Sequence, residues 1–251
     1  MKYRSRVIMA LVCALCAFAV IPRARAVDGL SLTNSHQSGV AADFNGDGRA
    51  DVAAGYPGYD HDRGAVTVHF GSAWSSQGRS ESNPDTLLTV SGNEASETLA
   101  AIDARPGSVV LSPTDSVFAN AGLVPNPWID FGHTLATGDF DADGRADLVI
   151  GIPGMDLGTA SEVGGVAVLS GGALTLHTAG FPNIVAQIWH QGSPGVLGDP
   201  EAGDRFGHAL AVGDFDGNGA DDLAIGVPFE DVGGKANAGA VHVLYGVPGV
   251  G

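Results

Sequence analysis

The chain has 251 residues, with 28 acidic side chains against 12 Lys plus Arg and a formal charge of −16. That balance repels a phosphate backbone and excludes nucleic acid as a partner. Its two cysteines, Cys13 and Cys16, both fall near the N-terminus, which excludes a disulfide-built scaffold for the remainder.

The first element in chain order is a leader. Lys2, Arg4 and Arg6 precede an apolar run from Val7 to Ile21, and Ala24-Arg25-Ala26 has the A-x-A form of a cleavage site. The apolar run is too short to span a bilayer comfortably, so residues 1–26 are expected to be a secretory signal peptide cut after Ala26. Its removal takes away five of the twelve basic residues and no acid, leaving −21 on residues 27–251. No further long apolar segment follows, so no membrane span is expected in the mature chain. The expected location is secreted or extracellular, with periplasm or cell surface as alternatives.

The first unit, about 30–130, contains the loop Asp43-Phe44-Asn45-Gly46-Asp47-Gly48-Arg49-Ala50-Asp51. Val52-Ala53-Ala54-Gly55-Tyr56-Pro57 follows, then a Val-rich run from Gly64 to Gly71 and a weaker one at Leu87–Val90. An insertion near 93–125, which includes Ser108-Val109-Val110-Leu111, reads as a long loop with one strand pair at most. The second unit, about 131–205, opens with Phe131-Gly132-His133 and repeats the loop as Asp139-Phe140-Asp141-Ala142-Asp143-Gly144-Arg145-Ala146-Asp147. Gly151-Ile152-Pro153, Gly164–Gly171 and Ala186–Trp189 follow. The third unit, about 206–251, opens with Phe206-Gly207-His208. Its loop is Asp214-Phe215-Asp216-Gly217-Asn218-Gly219-Ala220-Asp221-Asp222, followed by Gly226-Val227-Pro228 and Gly239–Gly246. It is expected to lack its outer strands.

Each loop puts oxygen side chains at positions 1, 3, 5 and 9 and Gly at position 6, the way one short loop surrounds a hard cation. Ten of the carboxylates lie at these positions, and such clusters repel themselves unless a cation sits among them. The position-2 aromatics Phe44, Phe140 and Phe215 are expected to be core anchors. His133 and His208 recur at one repeat position, which favours a structural role over a catalytic one. The runs around the loops are short, rich in Val and Ala and bounded by Gly, so they read as β-strands. Four-stranded units repeated along a chain predict an all-β fold, a β-propeller with three blades present.

Phe-Gly at the start of a unit, the acidic loop and Gly-x-Pro at its end resemble the FG-GAP repeat of integrin α-chains and secreted bacterial proteins. The resemblance implies part of a seven-bladed propeller and three Ca²⁺ sites. The implied ligand sets are Asp43, Asn45, Asp47 and Asp51; Asp139, Asp141, Asp143 and Asp147; and Asp214, Asp216, Asn218 and Asp222. Backbone carbonyls at position 7 would add Arg49, Arg145 and Ala220. An EF-hand would need Glu at position 12, where Ala54, Ile150 and Ile225 stand.

No catalytic or cofactor-binding constellation accompanies the loops. The expected role is non-catalytic extracellular recognition or adhesion toward a protein or glycan ligand. The alternatives are a propeller appendage of a secreted hydrolase and a carbohydrate-binding propeller. Open blade edges are expected to favour self-association.

Overall fold

The Val- and Ala-rich runs do form strands, and each finds its partner next to it in sequence. A computed structural model describes residues 6–7, 38–71, 108–171 and 186–249. In the first blade, β2 (Ser38–Ala42), β3 (Asp51–Tyr56), β4 (Ala65–His69) and β5 (Ser108–Leu111) pair antiparallel in that order. The second blade repeats this with β6 (Leu135–Gly138), β7 (Asp147–Ile152), β8 (Gly165–Leu169) and β9 (Ala186–Trp189). The third has β10 (Ala209–Gly213), β11 (Asp222–Val227) and β12 (Ala240–Leu244). The registers superimpose: Val40↔Ala53, Ala136↔Val149 and Ala211↔Ala224 are equivalent pairs. The fold is almost entirely β, a partial propeller of three four-stranded sheets.

Two outer strands differ from the sequence reading. The fourth strand of blade 1 is Ser108–Leu111, which sequence reasoning put inside the insertion. It runs from Ser108↔His69 to Leu111↔Val66, and its Val109 and Leu111 alternate into the core. Leu87–Val90 lies outside the described residues. In blade 3 the fourth position is taken by β1 (Arg6–Val7), two residues from the segment read as a leader, paired with Val243 and His242. Cleavage after Ala26 would remove this strand and leave the β12 edge unpaired.

The cores lie between blades. Leu148, Ile150 and Ile152 on one face of β7 join Phe44, Val66, Val68, Leu111 and Phe131. Val149 on the other face joins Phe140, Phe206, Leu223 and Ile225. All six residues of β7 are therefore buried, whereas β10, the first strand of blade 3, has no buried residue and alternates largely between exposed and half-buried.

The two halves of the repeat signature meet across each interface. A Cβ on Gly55 would lie 2.2 Å from the carbonyl oxygen of Gly132, and one on Gly151 would lie 2.5 Å from that of Gly207. The Gly of Gly-x-Pro thus lets the Phe-Gly backbone of the next blade approach. Hydrogen bonds fix the contact: Ser38 Oγ donates to Gly132 O at 2.9 Å, and Thr134 Oγ1 to Gly207 O at 2.8 Å. The phenylalanines then bury fully, and Gly64 and Gly164 bridge in parallel to Phe131 and Phe206.

Candidate metal centre

Each acidic loop is the hairpin between the first and second strands of a blade, so the three loops share one edge of the array. Their internal hydrogen bonding is the same. The position-5 amide donates to the position-1 carboxylate in all three, at 3.1 Å for Asp47, 2.9 Å for Asp143 and 3.0 Å for Asn218. It also donates to the position-3 side chain, Asn45, Asp141 or Asp216. The position-6 glycine amide reaches the second oxygen of position 1, and the amides of Arg49, Arg145 and Ala220 reach position 5. These bonds wind the chain around its own carboxylates. They require left-handed backbone at position 6 and, unforeseen from sequence, at position 4, where Ala142 has φ 56° between Gly46 at 71° and Gly217 at 76°.

The position-9 aspartate is buried in every loop and accepts two backbone bonds. One comes from the position-2 phenylalanine amide: Phe44 to Asp51 at 2.9 Å, Phe140 to Asp147 at 3.0 Å and Phe215 to Asp222 at 2.7 Å. The other comes from the glycine after the third strand: Gly71 at 2.7 Å, Gly171 at 2.9 Å and Gly246 at 2.8 Å. Those glycines recur visibly in sequence, and that recurrence was the signal for their role.

The loops are also joined to one another. Ala146 N donates to Asp43 O at 3.1 Å, and Asp221 N to Asp139 O at 2.9 Å; Asp139 N returns a bond to Asp221 Oδ2. The position-8 residue of one loop is therefore stapled to position 1 of the loop before it. The Arg145 side chain also lies against Gly46, where a Cβ would meet its Nε at 3.0 Å.

The donor set suits a hard cation. One ligand oxygen each from Asp139, Asp141 and Asp143 lie within 4.8 Å of one another, as do those of Asp214, Asp216 and Asp222. In the first loop position 3 is Asn45, and no set of three acidic groups converges to that degree among the described residues. Burial is the leading cause that pushes Asp147 up to about 7; its two backbone bonds oppose this, and Asp141 and Asp139 add to it. Asp51, Asp141 and Asp222 are raised for the same leading reason. Carboxylates this reluctant to ionise together are what a bound cation relieves.

Position 2 behaves as expected in two loops only. Phe44 and Phe140 are buried because each inserts into the following blade, while Phe215 is 52% exposed, with no following blade to receive it among the described residues. His133 and His208 pack against each other across the blade junction, with ring centroids 4.9 Å apart and ring planes tilted by 49°.

The FG-GAP repeat profile matches residues 37–69, 131–169 and 206–244, one stretch per blade. The chain carries three FG-GAP repeats. Among similar proteins is phosphatidylinositol-glycan-specific phospholipase D of Rattus norvegicus, 36% identical over 48% of this chain and 14% of that protein. Integrin alpha-PS2 of Drosophila melanogaster is 31% identical over 56% of this chain and 8% of its own length. Integrin alpha-5 of Xenopus laevis is 38% identical over 47% of this chain and 10% of its own length. The matched regions are thus a small part of each relative. Similarity to both kinds of protein places the FG-GAP unit, and not the whole relative, as what is shared.

Proposed function

We propose that this chain is an exported, calcium-stiffened FG-GAP propeller segment that serves extracellular recognition or adhesion without catalysing a reaction. The carrying observation is the threefold recurrence of one hydrogen-bonded acidic loop at the joints between blades. Calcium would bind Asp43, Asn45, Asp47 and Asp51 in the first loop and the equivalent residues in the others, with the carbonyls of Arg49, Arg145 and Ala220. Oxygen-only donors favour Ca²⁺ over Zn²⁺. Because the loops are stapled to one another, ordering one holds the position of the next blade. Function would then lie on the other edge, where loops between the second and third strands and between blades are free to vary. Export rests on the leader at residues 1–26, and no helix among the described residues is long and apolar enough to cross a membrane.

Calorimetric titration of chelator-treated protein tests the calcium reading. Binding at the loops is expected with Kd on the order of 10⁻⁴ to 10⁻³ M, as in other extracellular modules. Heat unchanged in the combined Asp43→Ala, Asp139→Ala and Asp214→Ala variant would overturn it. A second reading, a propeller appendage to a secreted hydrolase, draws on the similarity to the phospholipase D proteins. Binding screens separate the roles: adhesion predicts capture of an extracellular protein, whereas an appendage or carbohydrate-binding propeller predicts capture of glycan or glycolipid.

A further inference from the structure

Asn-Gly occurs twice in the chain, at Asn45-Gly46 and Asn218-Gly219, and both pairs lie inside acidic loops. The first takes positions 3 and 4 of its loop, the second positions 5 and 6. The loop of blade 2 carries neither, with Asp141 and Asp143 at the two asparagine positions. Asn followed by Gly is a reactive pair. The amide nitrogen after the asparagine can attack the side-chain carbonyl carbon and close a five-membered ring, and a glycine, lacking Cβ, obstructs that approach least.

The structure leaves one pair ready to react and holds the other. The nucleophile for Asn45 is the Gly46 amide, which has no acceptor among the described residues. Gly46 is exposed, with φ +71°. The electrophile is the Asn45 side-chain carbonyl, whose Oδ1 accepts the Asp47 amide at 2.9 Å. That donor polarises the carbonyl and stabilises the oxyanion formed on attack. Asn218 has the same help, since its Oδ1 accepts the Ala220 amide at 2.8 Å. The difference lies in the other two groups. The nucleophile for Asn218 is the Gly219 amide, already given to Asp214 Oδ2 at 3.1 Å. The leaving nitrogen is held as well, because Asn218 Nδ2 donates to the Gly246 carbonyl at 3.0 Å. Position in the loop explains the contrast: the position-6 amide is tied to position 1 in all three loops, whereas Gly46 stands at position 4.

We propose that Asn45 is a site of spontaneous deamidation and that the fold protects Asn218 from it. The Gly46 nitrogen bonds to Asn45 Cγ and gives up its proton, the Cγ–Nδ2 bond breaks, and the nitrogen leaves with that proton as ammonia. Water then adds across one of the two carbonyl–nitrogen bonds of the succinimide. Opening at Cγ gives aspartate, and opening at the backbone carbonyl gives isoaspartate. Either product adds a negative charge to the first loop. Aspartate supplies the position-3 carboxylate that Asp141 and Asp216 supply in the other loops, whereas isoaspartate lengthens the main chain by one carbon. The first loop therefore changes its charge and donor set as the protein ages. The chemistry needs no bound cation, so it stands apart from the calcium reading.

The test ages the full chain in warm, mildly alkaline buffer with chelator, native or unfolded in guanidinium chloride, and follows peptide fragment masses over time. In the native chain Asn45 should gain the mass difference between NH₂ and OH, part of the product being a substrate for isoaspartyl methyltransferase. Asn218 should convert roughly tenfold more slowly, since further hydrogen bonds must break before it reacts. In guanidinium chloride the two should convert at similar rates. A native Asn45 that stays intact while the unfolded chain converts, or a native Asn218 that converts as fast as Asn45, would overturn the inference.

Discussion

Asp147 offers a pH test of the acidic loops. It is 3% exposed, receives two backbone amides and still has its pKa pushed up to about 7. In the unfolded chain it should titrate near the ordinary 3.8. Between these values the metal-free native state holds a proton that the unfolded state has lost. Stability of the metal-free protein therefore falls as pH rises from about 4 to about 7 and then levels off. The gap corresponds to at most about 4 kcal/mol for this residue. Asp51 and Asp222 act in the same direction. Half-buried His190 and buried His242, whose pKa values are lowered by desolvation, act oppositely, since they favour the native state as pH rises toward 6.5. An Asp147→Asn variant shares those histidines, so the difference between the two proteins isolates Asp147. Urea denaturation in chelator at pH 5, 6, 7 and 8 gives the slope for each. The wild type should lose stability with pH more steeply than the variant, and saturating Ca²⁺ should flatten or invert the wild-type slope. Identical slopes in chelator would refute the reasoning.

Other outcomes follow from the interfaces and the loops. Gly151→Ala should cost about 1–3 kcal/mol or more, since its Cβ would sit 2.0 Å from Thr134 Oγ1, whereas Gly226→Ala in blade 3 meets Ala209 Cβ at 3.1 Å and should be far milder; thermal melts compare them. Phe206→Ala should lose about 3–5 kcal/mol in denaturant titration, because the ring is fully buried between blades 2 and 3. Calcium at tenfold excess over Kd should add about 1.4 kcal/mol per site and raise the melting temperature by several degrees; coincident curves with and without chelator would argue against structural calcium. Phe215, exposed beside the open face of β10, should promote self-association, so Phe215→Ser should shift light-scattering mass toward monomer.

Much was legible in the chain because it was local or repeated. Hairpin loops, strands and their nearest partners depend on residues a few positions apart, and three copies make the period visible. The ligand-type oxygens of each loop were legible for the same reason, since one nine-residue segment supplies all of them. Outer strands were less so: β5 closes a connection of nearly 40 residues, and Leu87–Val90 carries the same strand propensity as Ser108–Leu111. Tertiary structure alone decided what crosses between blades. Phe-Gly and Gly-x-Pro are far apart in sequence and meet as neighbours, because each glycine removes the Cβ that would hold the next backbone away. Phe215 has the same residue type and loop position as Phe44 and Phe140 yet is exposed, since burial depends on the next blade and not on the residue itself. Asp204 and Glu230 are acids by type, yet they are buried at the repeat positions where blade 2 buries Ile129 and Met155. Sequence periodicity determined the unit, and packing between units determined which of its residues water can reach.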